Sequence, residues 1–215
     1  FKKMSIRQIK QCIGNDIMIS RVRVDPGKTN IHEEPEKIIG ESGEDKVPGE
    51  GEVYFDIRFS VYLPRKREKV KMIVNVEAQK DFHPGYAVPS RGVFYGARMI
   101  SAQKGIEFTG SNYDGIRKVY SIWICMNAPD YIGNAISKYR ICKEDLIPGI
   151  PDQRNTYDKM TVVTVCLNPK SGKGNPLTRM LGLLLSPKIK GKVKIQQLKE
   201  EFAIPMESKA MGEEL

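Results

Sequence analysis

The sequence is poor in the residues that ligate zinc or form disulfide frameworks. It contains two histidines and four cysteines among 215 residues. The cysteines are widely spaced, no pair has the CxxC spacing of a zinc finger, and we interpret them as reduced thiols of a cytoplasmic protein. Neither His32 nor His83 has the context of a metal ligand or a catalytic triad. The cysteines are Cys12, Cys125, Cys142 and Cys166.

Long apolar runs and nucleotide-binding loops are also lacking. No run approaches the roughly 18 apolar residues of a membrane span. Lys2 and Lys3 are followed by no apolar segment, so no signal peptide is expected, and we expect the chain to be a fragment of a longer one. The segment Ser171-Gly-Lys-Gly174 lacks Walker spacing, which argues against a nucleotide-binding P-loop.

Positive charge is abundant but unevenly distributed. The net charge is +9, yet residues 25–55 hold nine acids against three lysines, a net charge of −6 that leaves +15 on the remainder. A strongly basic body favours a polyanionic partner such as nucleic acid, although a surface that merely keeps the protein soluble explains the charge equally well.

Two consecutive segments alternate between apolar and polar residues, as the strands of a β-hairpin do. The alternation predicts strands over Val53–Leu63 and Val70–Gln79. A symmetric turn between them pairs every apolar residue with another apolar residue. A slip by one residue would spoil all of these pairs, which makes this register credible. The same register places Asp56 directly opposite Glu77.

Two directly opposed carboxylates repel each other, so something must offset the repulsion. A shared proton is one solution, and a bound divalent cation is another, because hard cations prefer carboxylate oxygens. Two simpler alternatives stay open. The two side chains could point apart into water, or Lys71 or Arg58 could neutralise them in a surface network.

Basic residues surround the hairpin and suggest a phosphate partner. A helix predicted over residues 91–104 carries a stripe with the spacing i, i+4, i+7, and an apolar face formed by Val93, Ala97 and Ile100. The alternative for the stripe is a solvated helix face. The residues that we predict to contact a nucleic-acid backbone are Arg65, Lys66, Arg67, Lys71, Lys80, Arg91, Tyr95 and Arg98.

The remaining segments suggest a single domain that contains helices and a buried sheet. Residues 118–126 and 160–167 are expected to be buried strands, and residues 177–185 and 192–202 to be helices. Residues 1–52 are expected to contribute a helix over 4–19 and an acidic, partly mobile segment, and residues 53–215 to form the core.

A hairpin with Asp56 on one strand and Glu77-Ala-Gln79 on the next, followed by a helix and a buried strand, resembles the PD-(D/E)XK nuclease superfamily. More narrowly, the sequence resembles the transposase-like group of this superfamily, which includes the Rpn-type recombination-promoting nucleases. The similarity covers residues from about 50 to the end of the chain. It implies an α/β (α+β) fold with a restriction-endonuclease-like core, in which helices flank a mixed central β-sheet. The similar stretches are Tyr54-Phe-Asp-Ile57, Val74-Asn-Val-Glu-Ala-Gln79, Arg91-Gly-Val-Phe-Tyr95, Val119-Tyr-Ser-Ile-Trp-Ile-Cys125, Leu181-Gly-Leu-Leu-Leu185 and Leu198-Lys-Glu-Glu-Phe202.

The resemblance implies a metal-dependent DNA endonuclease that acts in recombination or in the processing of mobile elements. Asp56 and Glu77 would bind Mg²⁺, or Mn²⁺ in its place, with the backbone carbonyl of Ala78 as a third ligand. Gln79 would position the attacking water, at a place where many superfamily members have lysine. One acidic residue of the N-terminal region often completes such sites, and the candidates are Glu44, Glu50 and Glu52.

Two other functions stay open on the sequence. Gln79 in place of lysine is compatible with an inactive nuclease fold that only binds DNA. The acidic segment over residues 25–55 could instead dock on basic surfaces of a protein-interaction partner. Because superfamily members often act as dimers, a homodimer is a further expectation.

Overall fold

The computed structural model describes residues 38–40, 44–47, 51–54, 56–64, 69–168, 170–172, 174–186, 189 and 191–202. In this part of the chain, eight strands and four helices form a mixed α+β fold. The strands are β1 (Ile38–Gly40), β2 (Glu44–Val47), β3 (Gly51–Tyr54), β4 (Ile57–Pro64), β5 (Lys69–Gln79), β6 (Lys118–Cys125), β7 (Ala135–Arg140) and β8 (Met160–Cys166). The helices are α1 (Val88–Ser101), α2 (Arg154–Tyr157), α3 (Pro176–Leu184) and α4 (Gly191–Phe202).

Six strands form one sheet in the order β1-β4-β5-β6-β8-β7, and β2 and β3 form a separate antiparallel pair. Strand β4 is antiparallel to both β1 and β5. Strands β6 and β8 run parallel, because Val119 N donates to Lys159 O at their beginnings and Leu167 N donates to Cys125 O at their ends. The sheet is therefore mixed, as predicted.

The predicted register of the hairpin is confirmed, but its first strand is shorter than predicted. The pairs run from Ile57 with Val76 to Pro64 with Lys69, which is the register that the alternation predicts. The continuous strand predicted from Val53 to Leu63 is wrong, because Asp56 lies in a bend between β3 and β4. The chain changes partners at this bend: β3 pairs with β2, whereas β4 pairs with β1 and β5.

The polar face of the hairpin is buried more deeply than its apolar face. Glu77 is 5 % exposed and Asn75 is fully buried, whereas Ile57 on the apolar face is 40 % exposed. Arg58 and Ser60 of β4 are also buried on the polar face. The alternative in which both carboxylates point into water is therefore wrong for Glu77, whereas Asp56 is exposed.

Two glycines set how closely α1 approaches the sheet. A Cβ atom at Gly92 would lie 2.5 Å from Val162 Cγ1, and one at Gly96 would lie 2.5 Å from Met160 Sδ. Because these glycines are four residues apart, they lie on one face of the helix, and that face packs against β6 and β8. The predicted apolar face is wrong, since Val93 is 44 % exposed and Ala97 is exposed.

The other predicted elements fit with small shifts. Strands β6 and β8 and helices α3 and α4 coincide with the predicted segments to within one residue at each end. Helix α1 begins three residues before its predicted start, because Pro89 lies in its first turn, where proline is tolerated. Strands β1 and β2 lie within the acidic segment, for which no regular structure was predicted. The helix predicted over residues 4–19 lies outside the described residues.

The chain divides into two compact units. The first consists of residues up to Glu77, Ala87–Trp123 and Lys138–Val163, and its core includes Met99 and Trp123. The second consists of residues 78–86, 124–137 and those from 164 onward, and its core includes Cys125, Val165 and Leu198. None of the described helices has the length and apolar character that crossing a membrane requires.

Candidate metal site at the end of the hairpin

Asp56 and Glu77 come together where the β4–β5 ladder ends. The last ladder pair is Ile57 with Val76, so Asp56 and Glu77 occupy the next opposed positions. The backbone N–H of Asp56 donates to Glu77 Oε1 over 3.1 Å. The bend before β4 therefore holds Asp56 against Glu77 through its backbone, while the side chain of Asp56 remains exposed.

Glu77 is a buried carboxyl group that resists ionisation. Burial raises its pKa to about 7, and the negative charge of Asp56 raises it as well. The hydrogen bond from Asp56 N, the side chain of Asn75 and the positive charge of Arg91 all lower the pKa, but together they do not offset the loss of hydration. Glu77 therefore exchanges its proton near neutral pH.

Arg91 is held in place by aromatic side chains. Arg91 Nη2 donates to Tyr95 Oη over 2.7 Å, and its guanidinium lies 5.1 Å from the Tyr95 ring centroid and 5.2 Å from the Trp123 ring centroid. The two rings meet edge to face at 5.2 Å. Arg91 is thus a cation fixed on α1, and its charge acts on Glu77.

The predicted basic stripe of α1 faces the protein rather than solvent. Tyr95 is 6 % exposed and Arg98 is 3 % exposed, whereas Arg91 is partly exposed. The alternative of a solvated helix face is therefore wrong. Contact between these residues and a nucleic-acid backbone stays a prediction, and Arg91 is the member of the stripe with the surface for it.

The other residues predicted to contact DNA, and the acidic residues predicted to complete the metal site, lie in different elements of the chain. Lys71 forms an ion pair with Glu107, and Arg91 is the cation that lowers the pKa of Glu77. Lys80 is exposed at the start of the loop after β5. Glu44 and Glu52 lie in β2 and β3. Four predicted residues lie outside the described residues: Arg65, Lys66, Arg67 and Glu50.

Ala78 and Gln79 end β5 and belong to the second unit. Ala78 is exposed. Gln79 is held by the loop that follows it: its Nε2 donates to Asp81 O over 3.1 Å, and Tyr86 Oη donates to Gln79 Oε1 over 3.4 Å. These bonds fix the side chain of Gln79, while its predicted role in positioning water stays a prediction.

Asn75 is a neighbour of Glu77 that was not among the predicted site residues. It lies two residues before Glu77 on the same face of β5 and is paired with Arg58 across the ladder. Both side chains are buried. The signal was present, because the alternation that places Glu77 on the polar face also places Asn75 there.

The donor set fits a hard divalent cation. Carboxylate oxygens are the ligands that Mg²⁺ prefers, and Mg²⁺ is usually bound through one or two carboxylates while it keeps several waters. A cation beside Glu77 would also offset the cost of ionising a buried carboxyl group. Among the described residues, no group of three or more His, Cys, Asp or Glu residues is arranged to hold a metal.

No protein-family model, no curated protein and no solved structure matches the chain. The resemblance to the PD-(D/E)XK nucleases therefore rests on the sequence motifs. The order of a hairpin, a helix and a buried strand, given by β4, β5, α1 and β6, is compatible with that resemblance.

Proposed function

We propose that this protein is a metal-dependent DNA endonuclease of the transposase-like PD-(D/E)XK group, with Asp56 and Glu77 as the ligands of Mg²⁺. One observation carries the proposal: Glu77 is buried opposite Asp56 at the end of the hairpin and accepts a hydrogen bond from the Asp56 backbone. An opposed carboxylate pair of which one member is buried is costly unless a proton or a cation resides there.

The residues of the chain have distinct tasks in this proposal. Glu77 presents its carboxylate from the rigid strand β5, and Asp56 presents its own from the bend before β4. A bound Mg²⁺ would lower the pKa of a coordinated water and neutralise charge on the scissile phosphate. Gln79, two residues after Glu77, would accept a hydrogen bond from the attacking water through its amide oxygen or donate one to a phosphate oxygen.

Basic residues would bind the DNA backbone without reading its sequence. Lys80 and Arg91 retain exposed surface, and the sequence between β4 and β5 contains three further positive charges, Arg65, Lys66 and Arg67. The net charge of +9 supports this assignment. Because each phosphate contact releases counterions, DNA binding is expected to weaken steeply as the salt concentration rises.

Cleavage of supercoiled plasmid in Mg²⁺, Mn²⁺ or EDTA tests the proposal. The native chain is expected to nick or cut the plasmid with either metal and not with EDTA. Loss of a metal ligand removes several kcal/mol of transition-state stabilisation, so Glu77→Ala is expected to be slower by roughly 10³-fold. Asp158→Asn, which changes a buried carboxylate remote in sequence from the hairpin, serves as the control and should cut at the native rate per folded molecule.

The other two functions predict different results in the same assay. A DNA-binding module would retain the plasmid at low salt but never cut it with either metal. A protein-interaction scaffold would neither bind nor cut it. Either result, obtained with folded protein, would contradict the nuclease proposal and favour the corresponding alternative.

A further inference from the structure

Asn75 carries a buried amide that does not make the full set of hydrogen bonds that such groups normally make. Its side chain is 0 % exposed, and neither Nδ2 nor Oδ1 has a partner of ordinary hydrogen-bond geometry within the described part of the chain, although a looser hydrogen bond between Asn75 and the Glu77 carboxyl group lowers the pKa of Glu77. A buried amide that lacks partners costs free energy, whereas an apolar side chain of the same shape does not. An asparagine at this position therefore calls for a reason other than the stability of the fold.

Gln103 in the same unit shows what a satisfied buried amide looks like. It is 1 % exposed. Its Nε2 donates to Met99 O over 3.2 Å and to Arg117 O over 3.1 Å, and its Oε1 accepts from Arg117 N over 2.7 Å. Gln103 thus ties the end of α1 to the segment before β6, and its amide has a structural purpose that the amide of Asn75 lacks.

The position of Asn75 indicates what its amide is for. Side chains at i and i+2 of a strand lie side by side on one face, so Asn75 is the nearest neighbour of Glu77 along β5 on the buried side. The Asn75 side chain lowers the pKa of Glu77, which is the effect of an amide donor beside a carboxylate.

We propose that Asn75 is a positioning residue for Glu77: its buried amide restrains the Glu77 carboxylate in the orientation that binds the divalent cation. The inference rests on the proposed metal site. Groups that hydrogen-bond to a ligating carboxylate fix its orientation, and removing them typically weakens metal binding by about 10–100-fold. The amide is retained at the expense of stability, as is common for groups that serve a site rather than the fold.

Two measurements on metal-free and Mn²⁺-titrated protein test this role. They are the midpoint of urea unfolding without metal and the Kd for Mn²⁺ from calorimetry. For Asn75→Leu, which replaces the amide by an apolar group of similar size, we expect a higher urea midpoint and a Kd about 10–100-fold larger. For Gln103→Leu, the matched control, we expect a lower urea midpoint and an unchanged Kd.

Two variants with smaller side chains test the same role if leucine does not fit at position 75. Asn75→Ser and Asn75→Ala leave similar space, but only serine keeps a hydrogen-bond donor. Asn75→Ser is expected to bind Mn²⁺ more tightly than Asn75→Ala. Equal Kd values for this pair, or a native Kd in Asn75→Leu, would overturn the positioning role.

The same titration separates this inference from the proposed function. If the native chain binds Mn²⁺ and Glu77→Gln does not, the metal site stands, and the Asn75 variants alone decide the positioning role. If the native chain does not bind Mn²⁺ at all, the metal site fails and the role of Asn75 fails with it.

Discussion

Glu77 and Asp158 are both buried carboxyl groups of the first unit, but their surroundings differ. Glu77 is 5 % exposed and Asp158 is 7 % exposed. Asp158 forms ion pairs with Lys118 Nζ at 2.7 Å and with Arg154 Nη2 at 2.9 Å. Burial raises the pKa of Asp158, but the hydrogen bonds and positive charges of Lys118 and Arg154 lower it by more than burial raises it. The pKa of Asp158 therefore lies below its ordinary value. The pKa of Glu77 is instead raised to about 7.

The comparison shows that low exposure alone does not decide the charge of a carboxyl group, because Lys118 and Arg154 offset the effect of burial at Asp158, whereas the partners of Glu77 do not offset it. Asp158 is ionised at neutral pH, and its ion pairs with Arg154 of α2 and Lys118, the first residue of β6, stabilise the fold. Glu77 faces another carboxyl group and one cation, Arg91, that does not compensate for burial. Carboxyl groups with strongly raised pKa values are typical of functional sites.

The largest expected difference between the two groups is in how pH affects stability. Because the pKa of Glu77 rises on folding from 4.5 to about 7, protonation of Glu77 stabilises the fold below pH 4.5, and this contribution is lost as the pH rises through 7. The free energy of unfolding should fall by about 3 kcal/mol over this range. Asp56 and Arg91 are the charged groups that modulate this effect. Urea unfolding at a series of pH values measures it.

Glu77→Gln provides the control for the pH dependence. Glutamine cannot ionise, so the variant should lack this fall and be more stable than the native chain above pH 7. The contribution of Asp158 to the free energy of unfolding depends on pH in the opposite direction. It is present above the ordinary pKa of 3.8 and is lost as the pH falls through the lowered pKa. An unchanged pH profile in Glu77→Gln would contradict the contrast between the two groups.

A second, smaller effect is expected from removing the charge of Asp158. Asp158→Asn leaves Lys118 and Arg154 without their carboxylate and should lower the free energy of unfolding by about 2 kcal/mol at neutral pH. Thermal or urea unfolding at pH 7 measures the loss. The proposed nuclease activity per folded molecule should not change, and its loss in the folded variant would show that the two groups are not separate in function.

The smallest effect concerns Arg91, the weakest of the influences on Glu77. Arg91→Gln removes a positive charge and should raise the pKa of Glu77 slightly further, which moves the pH-dependent fall in stability to higher pH. Arg154→Gln, which removes a cation from Asp158 instead, should leave that fall where it is. If both variants move it equally, the effect is one of net charge rather than of position.

The register of the hairpin could be predicted from the sequence, and the buried face could not. Alternation fixes which residues face each other, so the opposition of Asp56 and Glu77 followed from the pattern alone. Which face is buried depends on tertiary packing, such as the approach of α1 to β6 and β8 at Gly92 and Gly96, that the alternation of the hairpin does not encode. Glycines leave no apolar signature, so the helix pattern indicated the exposed Val93 instead of the buried Tyr95.

Two further features depended on contacts that are distant in sequence. The bend at Asp56 arises because β3 and β4 pair with different strands, which no local pattern reveals. Strand β7 was missed because all but its first residue are exposed, which removes the alternation that marks a strand. The opposition of Asp56 and Glu77 could therefore be predicted, but the bend at Asp56 and the burial and pKa of Glu77 could not.

Calorimetric titration of Mn²⁺ into the native chain and into Glu77→Gln, at about pH 6, tests the metal site most directly. At that pH most Glu77 side chains are protonated, so metal binding must release a proton. The account predicts binding to the native chain, with proton release seen as a dependence of the heat on the buffer, and little binding to Glu77→Gln. Equal Mn²⁺ affinity in the two proteins, without proton release, would contradict it.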